Sequence, residues 1–139
     1  MEDTQKKWLV FISHSHNDKW VAKQIASKLE AEGIKTFLDQ LHIAAGEDFE
    51  VRILEALEQA NEFLILLTPW AQESKFVWME VGVAWHRRIP IVPVLHGLKV
   101  DEVLLQPSFP ITLKKRDMIS LDQIDEYLAQ LKKRISTQS

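Results

Sequence analysis

Apolar runs of strand length alternate with longer stretches of helical period along this chain, an order that few architectures accommodate. Trp8-Leu9-Val10-Phe11-Ile12 is continuous, too short for a helix and followed by polar breakers from Ser13 to Asn17, so it reads as a buried strand. Val21, Ile25 and Leu29, flanked by Ala22 and Ala26, then recur at helical spacing between Asn17, placed as an N-cap, and Gly33, placed as the stop. Thr36-Phe37-Leu38 is a second strand. Asp39 to Glu47 follows as a loop in which Gly46 is free to take conformations other residues resist. Asp48 is placed to cap the next helix, whose inner face is Ile53, Leu57 and Ala60 with Leu54 beside them.

Phe63 to Leu67 is a third strand, apolar on both faces and ended by Thr68-Pro69. A helix is expected over Gln72 to Arg88, and then a strand over Ile89 to Leu95 that Pro90 and Pro93 make short or close to an edge. Between His96 and Asp117 the pattern allows a short helix near Asp101 to Leu105 and a strand near Ile111 to Leu113 or Met118 to Ile119. A last helix carries Leu121, Ile124, Leu128, Leu131 and Ile135 behind a Ser120/Gln123 capping box, and is expected to fray beyond Ile135.

Strands alternating with helices imply an α/β domain with a parallel sheet, helices on both faces and the first strand at its centre. The 139 residues suit one domain, with a core over about residues 7–135. Ligands of such sheets sit beyond the carboxyl ends of the strands, where strand order reverses, so the loops after Ile12, Leu38 and Leu67 are where chemistry is expected.

Composition excludes several classes. A net charge of -3 gives no reason to expect a nucleic-acid partner, and the Lys114-Lys115-Arg116 and Lys132-Lys133-Arg134 groups read as a solvated turn and helix end. Without cysteine there is neither a disulfide framework nor a cysteine-based zinc site. Met1 to Lys7 lacks the apolar stretch of a secretory signal, and no apolar run approaches the ~20 residues that span a bilayer, so no membrane contact and a cytoplasmic setting are expected. Among the five histidines only His14 and His16 are close, at a spacing that is no recognised metal motif, so no metal is expected. A glycine-rich phosphate cradle is absent after the first strand, which argues against a Rossmann-type site, and the third strand ends without the carboxylate of a phosphoacceptor.

The stretch Phe76-Val77-Trp78-Met79-Glu80-Val81-Gly82-Val83-Ala84-Trp85 contains one ionisable residue, Glu80. Its helical neighbours at three and four residues are Phe76, Val77, Val83 and Ala84, which sets the carboxylate in an apolar stripe. A helical glutamate is ordinarily solvated or ion-paired, but an apolar setting is costly for a charge and such displaced carboxylates gather at functional sites.

These residues carry a resemblance. Phe11-Ile12-Ser13-His14-Ser15 with Asp18 is similar to the first motif of Toll/interleukin receptor (TIR) domains, particularly bacterial ones. Phe37-Leu38-Asp39 and then Gly46 resemble that family's second strand and BB loop, and Ser74-x-Phe76-Val77-x-x-Glu80 resembles its serine, aromatic and glutamate motif. The resemblance implies a flavodoxin-like five-stranded parallel sheet and, for many members, cleavage of NAD to ADP-ribose or a cyclic product, in signalling or defence. It further implies Glu80 as the catalytic residue, with Ser13, His14, Asp39, Gly46, Phe49 and Phe76 as candidates for binding the dinucleotide. NAD is then a substrate and no resident cofactor is expected. Other members are scaffolds that act by TIR–TIR self-association, and a nucleoside deoxyribosyltransferase-like enzyme would also use a glutamate on a related sheet. One departure is Phe76, where the family very often has tryptophan; the phenyl ring stacks with less area and has no N–H donor.

Cleavage of the nicotinamide to ribose bond expels a neutral ring from a pyridinium that is already positive, so no general acid is required. What remains is to stabilise an oxocarbenium-like ribose and to position it, tasks within reach of a single fixed carboxylate.

Overall fold

A computed structural model describes residues 8–38, 49–107, 109, 111–114 and 117–138, with the backbone alone for residues 49, 50, 111 and 112. The strands are β1 (Leu9–Ser13), β2 (Lys35–Leu38), β3 (Glu62–Leu67), β4 (Ile91–Leu95) and β5 (Ile119–Ser120). They form one five-stranded sheet in the order β2-β1-β3-β4-β5, and each neighbouring pair runs parallel. This is the flavodoxin-like arrangement. The first strand is interior, between β2 and β3, but the middle place belongs to β3, so the expected central position of β1 is off by one strand. All six residues of β3 are buried, as a strand covered on both faces requires.

Side chains alternate across the sheet and define two cores. On one face Val10, Ile12, Leu64, Leu66 and Val94 meet helices α1 (Lys19–Ala31) and α6 (Ile124–Gln138). On the other, Phe11, Phe63, Ile65, Leu67 and Leu95 meet α2 (Phe49–Gln59), α3 (Lys75–His86), α4 (Val100–Leu105) and α5 (Ile111–Lys114). Phe11 stacks on Phe37 at 5.1 Å and on Phe63 at 5.4 Å between ring centroids. The register sets these three rings side by side, so the stack pins the alignment of three adjacent strands.

Several boundaries differ from the sequence reading for local reasons. Asn17 lies inside a 3-10 turn, His16–Asp18, and α1 begins at Lys19. Gly33 ends that helix as expected, at φ +81, with Ile34 N–H returning to the Leu29 carbonyl at 3.1 Å. In α2, Ile53 and Leu57 are buried with Ala56, whereas Leu54 is exposed rather than on the inner face. The helix expected over Gln72 to Arg88 starts late, because Ala71–Glu73 forms its own 3-10 turn and Ser74 caps α3 by accepting from Val77 N–H at 3.4 Å.

As expected from Pro90 and Pro93, β4 is short, Ile91–Leu95, and it lies beside the edge strand β5 rather than at the edge itself. Phe63 N–H donates to the Pro90 carbonyl and His96 N–H to the Leu67 carbonyl. In the alternation of a parallel ladder, that directs the missing amide of Pro93 away from β3, and pairing with β5 begins just beyond it, at Val94. Of the two places considered for a last strand, Ile111–Lys114 is helical and Ile119–Ser120 is the strand. The Ser120/Gln123 capping box is present but opens a 3-10 turn, Leu121–Gln123, ahead of α6, which continues to Gln138 without fraying at Ile135. Beyond Ile135, Ser136 and Thr137 hydroxyls donate to the Lys133 and Arg134 carbonyls. Among the described residues no helix is long and apolar enough to cross a membrane.

Candidate active site

Strand order reverses between β1 and β3, and two carboxyl-end loops part there. Ser13, the last residue of β1, shares the face of Phe11 by the two-residue period and therefore points toward the α2 and α3 layer. Helix α3 turns Val77, Val81 and Ala84 into that layer, and Glu80 follows them inward. The two meet: Ser13 Oγ donates to Glu80 Oε1 at 2.7 Å, with Ser13 fully buried and Glu80 only 1% exposed. A carboxyl group out of water needs hydrogen-bonded partners, and the serine hydroxyl supplies one while fixing the rotation of the carboxylate plane.

His14 follows on the strand end and is 8% exposed. Its Nδ1 lies 2.8 Å from the Ser15 carbonyl oxygen, which only accepts, so Nδ1 carries a hydrogen, and the tautomer with that single N–H has Nε2 as an acceptor. Among the described residues that Nε2 is buried with no hydrogen-bond partner, an arrangement that costs about 1–3 kcal/mol.

Three further buried polar residues stand beside this pair. Ser15 Oγ and Thr68 Oγ1 both donate to Asp18 Oδ2, at 2.6 and 2.5 Å. In the sequence Asp18 is legible only as part of a motif and Thr68 only as the end of a strand. Each is unremarkable in isolation; the partnership spans fifty positions, and no local pattern announces it.

Phe76 lies one turn before Glu80 on α3 and is 41% exposed, so its ring is not a core residue. Trp78 does not take its place, since its Nε1 donates to the Gln72 carbonyl at 3.1 Å and its ring packs edge-on against Phe109. Asp39 and Gly46 fall outside the described residues, as do the Asp48 cap and the side chain of Phe49, whose backbone opens α2. Among the described residues no three His, Asp or Glu side chains converge as a metal-binding group.

At the opposite end of the sheet, Glu62 accepts from Tyr127 Oη at 3.0 Å and from Arg134 Nε and Nη2 at 2.7 and 2.9 Å. Burial, and then the neighbouring Glu62 carboxylate, push the Tyr127 phenol well above its ordinary value. Arg134 is raised as well, first by its hydrogen bonds to Glu62. Arg134 is thus an inward anchor for α6 rather than part of a solvated basic end, while Lys132 pairs with Glu32 at 2.8 Å. This cluster binds the last helix to the sheet, far from Glu80.

Comparison with known proteins places the whole arrangement. A family model described as TIR domain matches residues 10–134. A protein of Brachypodium distachyon named as a probable 2' cyclic ADP-D-ribose synthase is 25% identical over 103 residues, 73% of this chain and 46% of its own length. The chain therefore spans about half of that relative. The TIR domain of the Toll-related receptor TRR-2 of Hydra magnipapillata shares the fold at a TM-score of 0.70 and 21% identity, covering 91% of this chain and 97% of that one. The TIR domains of the activated Roq1 resistosome share it at 0.60 and 16%, covering 78% and 69%. With the family model covering nearly the entire sheet and helices, the chain belongs to the TIR domain family.

Proposed function

We propose that this TIR domain cleaves the bond between nicotinamide and ribose in NAD, giving nicotinamide with ADP-ribose or a cyclic ADP-ribose product. The observation that carries this reading is Glu80: a carboxylate withdrawn from water at the strand-order crevice and oriented by Ser13. A fixed negative charge in a water-poor site stabilises a developing ribose cation far better than one in solvent, because no solvent has to reorganise around it. The relative named as a probable cyclic ADP-D-ribose synthase supports the same chemistry.

In this reading NAD is substrate rather than resident cofactor. Glu80 faces the reacting ribose and Ser13 holds the carboxylate. His14 Nε2 accepts from a substrate hydroxyl, and the exposed Phe76 ring offers a stacking surface. Asp39, Gly46 and Phe49 complete the dinucleotide pocket on the strength of the family motif alone.

A second role, self-association, is supported by α3 itself, which exposes Phe76, Met79 and Trp85. Exposed large apolar side chains suit contact with another protein surface, Phe76 and Met79 on one side of the helix and Trp85 on another, and a scaffold function would use them. Incubation with NAD, and separately with deoxynucleosides, separates the readings by their products. Nicotinamide release supports NAD cleavage. Base exchange on deoxynucleosides supports the transferase alternative, and no product from either supports the scaffold.

A further inference from the structure

Asp18 occupies the N-cap position of α1, yet its side chain makes no capping bond to that helix. An N-cap carboxylate commonly stabilises its helix by meeting free helix amides. Here the carboxylate, on a residue 3% exposed, turns away and gathers two hydroxyl donors on the single oxygen Oδ2. One donor, Ser15, belongs to the loop after β1. The other, Thr68, is the first residue beyond β3 and is fully buried. Thr68 Oγ1 also accepts from Ala71 N–H at 3.2 Å, in the 3-10 turn that feeds α3. A continuous path of hydrogen bonds therefore joins the segment that carries Ser13 to the segment that carries Glu80.

We infer that Asp18, through Ser15 and Thr68, is a positioning residue that sets the distance between the β1 and β3 loops and so holds the Ser13–Glu80 pair in register for ribose chemistry. This rests on the NAD-cleaving reading. Beyond the β1–β3 ladder, which pairs Ser13 with Ile65, two side-chain tethers act on this geometry: the direct Ser13–Glu80 bond within the site and the Asp18 bridge beside it. With the bridge removed, the segments beyond the strand ends have more freedom to shift. A displacement of about 1 Å at a catalytic group costs on the order of a hundredfold in rate.

The test uses Asp18→Ala, which removes the oxygen that accepts both hydroxyls, and Thr68→Val, which removes the hydroxyl at constant volume, singly and together. Ser15→Ala is the milder variant if Asp18→Ala does not fold. Each is measured for kcat and KM on NAD per folded molecule, for melting temperature, and for the ¹³C resonance of the Glu80 carboxyl carbon. The bridge predicts that kcat falls roughly tenfold to a hundredfold with KM within about twofold, and that the Glu80 resonance moves in both single variants. It predicts also that the double variant is no worse than the more damaged single, since both sever one path. A lowered melting temperature with unchanged kcat and an unmoved Glu80 resonance would reduce Asp18 to a fold-stabilising residue and overturn the inference. Multiplying losses in the double variant would overturn it too. If the unaltered protein releases no nicotinamide, the NAD reading fails by itself, and the Glu80 resonance alone then decides the bridge: movement supports it and constancy refutes it.

Discussion

Glu80 and His14 show how differently single residues announce themselves. Glu80 stands out in the sequence because ten consecutive positions offer no other ionisable group, and burial at 1% exposure follows from that apolar setting. Ser13 and His14 were visible as the polar end of a buried strand. The tautomer of His14 was not, since it depends on the backbone carbonyl of Ser15. Asp18 and Thr68 were hidden for a stronger reason: their bond joins two segments that only the folded sheet brings together.

The assignment of His14 Nε2 to a substrate hydroxyl leads to a discriminating pair of variants. An asparagine side chain reaches as far as Nδ1, so His14→Asn retains the donor to Ser15 and deletes Nε2, while His14→Gln places an amide near the position of Nε2. Loss of one neutral hydrogen bond predicts a KM for NAD raised roughly 2- to 10-fold in His14→Asn. His14→Gln should recover part of it. Melting temperature is measured beside KM, so that a binding change in folded protein is separated from a loss of stability. Wild-type KM in His14→Asn would take Nε2 out of the site.

At the scale of elements, legibility tracked the strength of the local pattern. β1 and β3 were readable because continuous apolar runs of strand length have few other uses, and the helices α1 and α6 because their stripes repeat over several turns. β5 has two residues and no pattern to read, and Ile111–Lys114 carries the composition of a strand in a helical turn. Pro90 and Pro93 point to a short strand close to an edge, and β4 is one, beside β5; which way a missing amide faces is a property of the ladder, not of the residue.

The anchoring of α6 was missed because charge alone suggested solvent for Arg134. Its geometry makes an asymmetric prediction. Arg134→Met leaves a Glu62 carboxylate whose side chain is 2% exposed with the Tyr127 hydroxyl but no cation, and because the pair is only half-buried the loss is expected below the ~3–5 kcal/mol of a fully buried one. Glu62→Gln strands a guanidinium that is 42% exposed and can turn to water, so a smaller loss is expected. Urea unfolding of both variants checks the order. Equal losses, or a greater loss in Glu62→Gln, would show that the pair is not buried in the energetic sense.

For the molecule as a whole, the alternation of strands and helices was enough to give the parallel sheet and both covered faces, and the family match then confirmed the fold. A buried Glu80 also has a consequence for access. In the proposed reaction, substrate reaches a group 1% exposed by a rearrangement of the surrounding segments. Contacts on the exposed apolar residues of α3, next to that carboxylate, are well placed to stabilise the rearranged form in an assembly. Specific activity is therefore expected to rise with protein concentration and with crowding agents. A dilution series of NAD turnover per molecule checks this, and constant, substantial specific activity would mean that the monomer is already competent.

The central claim concerns one carboxylate, and Glu80→Gln tests it with least disturbance. The amide oxygen still accepts from Ser13 Oγ, so shape and hydrogen bond are kept while the charge is removed. The measurement is nicotinamide release from NAD by folded Glu80→Gln beside the unaltered protein at the same concentration. The account predicts a loss of at least about a hundredfold, the scale on which a single electrostatic stabiliser acts. Turnover in Glu80→Gln close to that of the unaltered protein would contradict it.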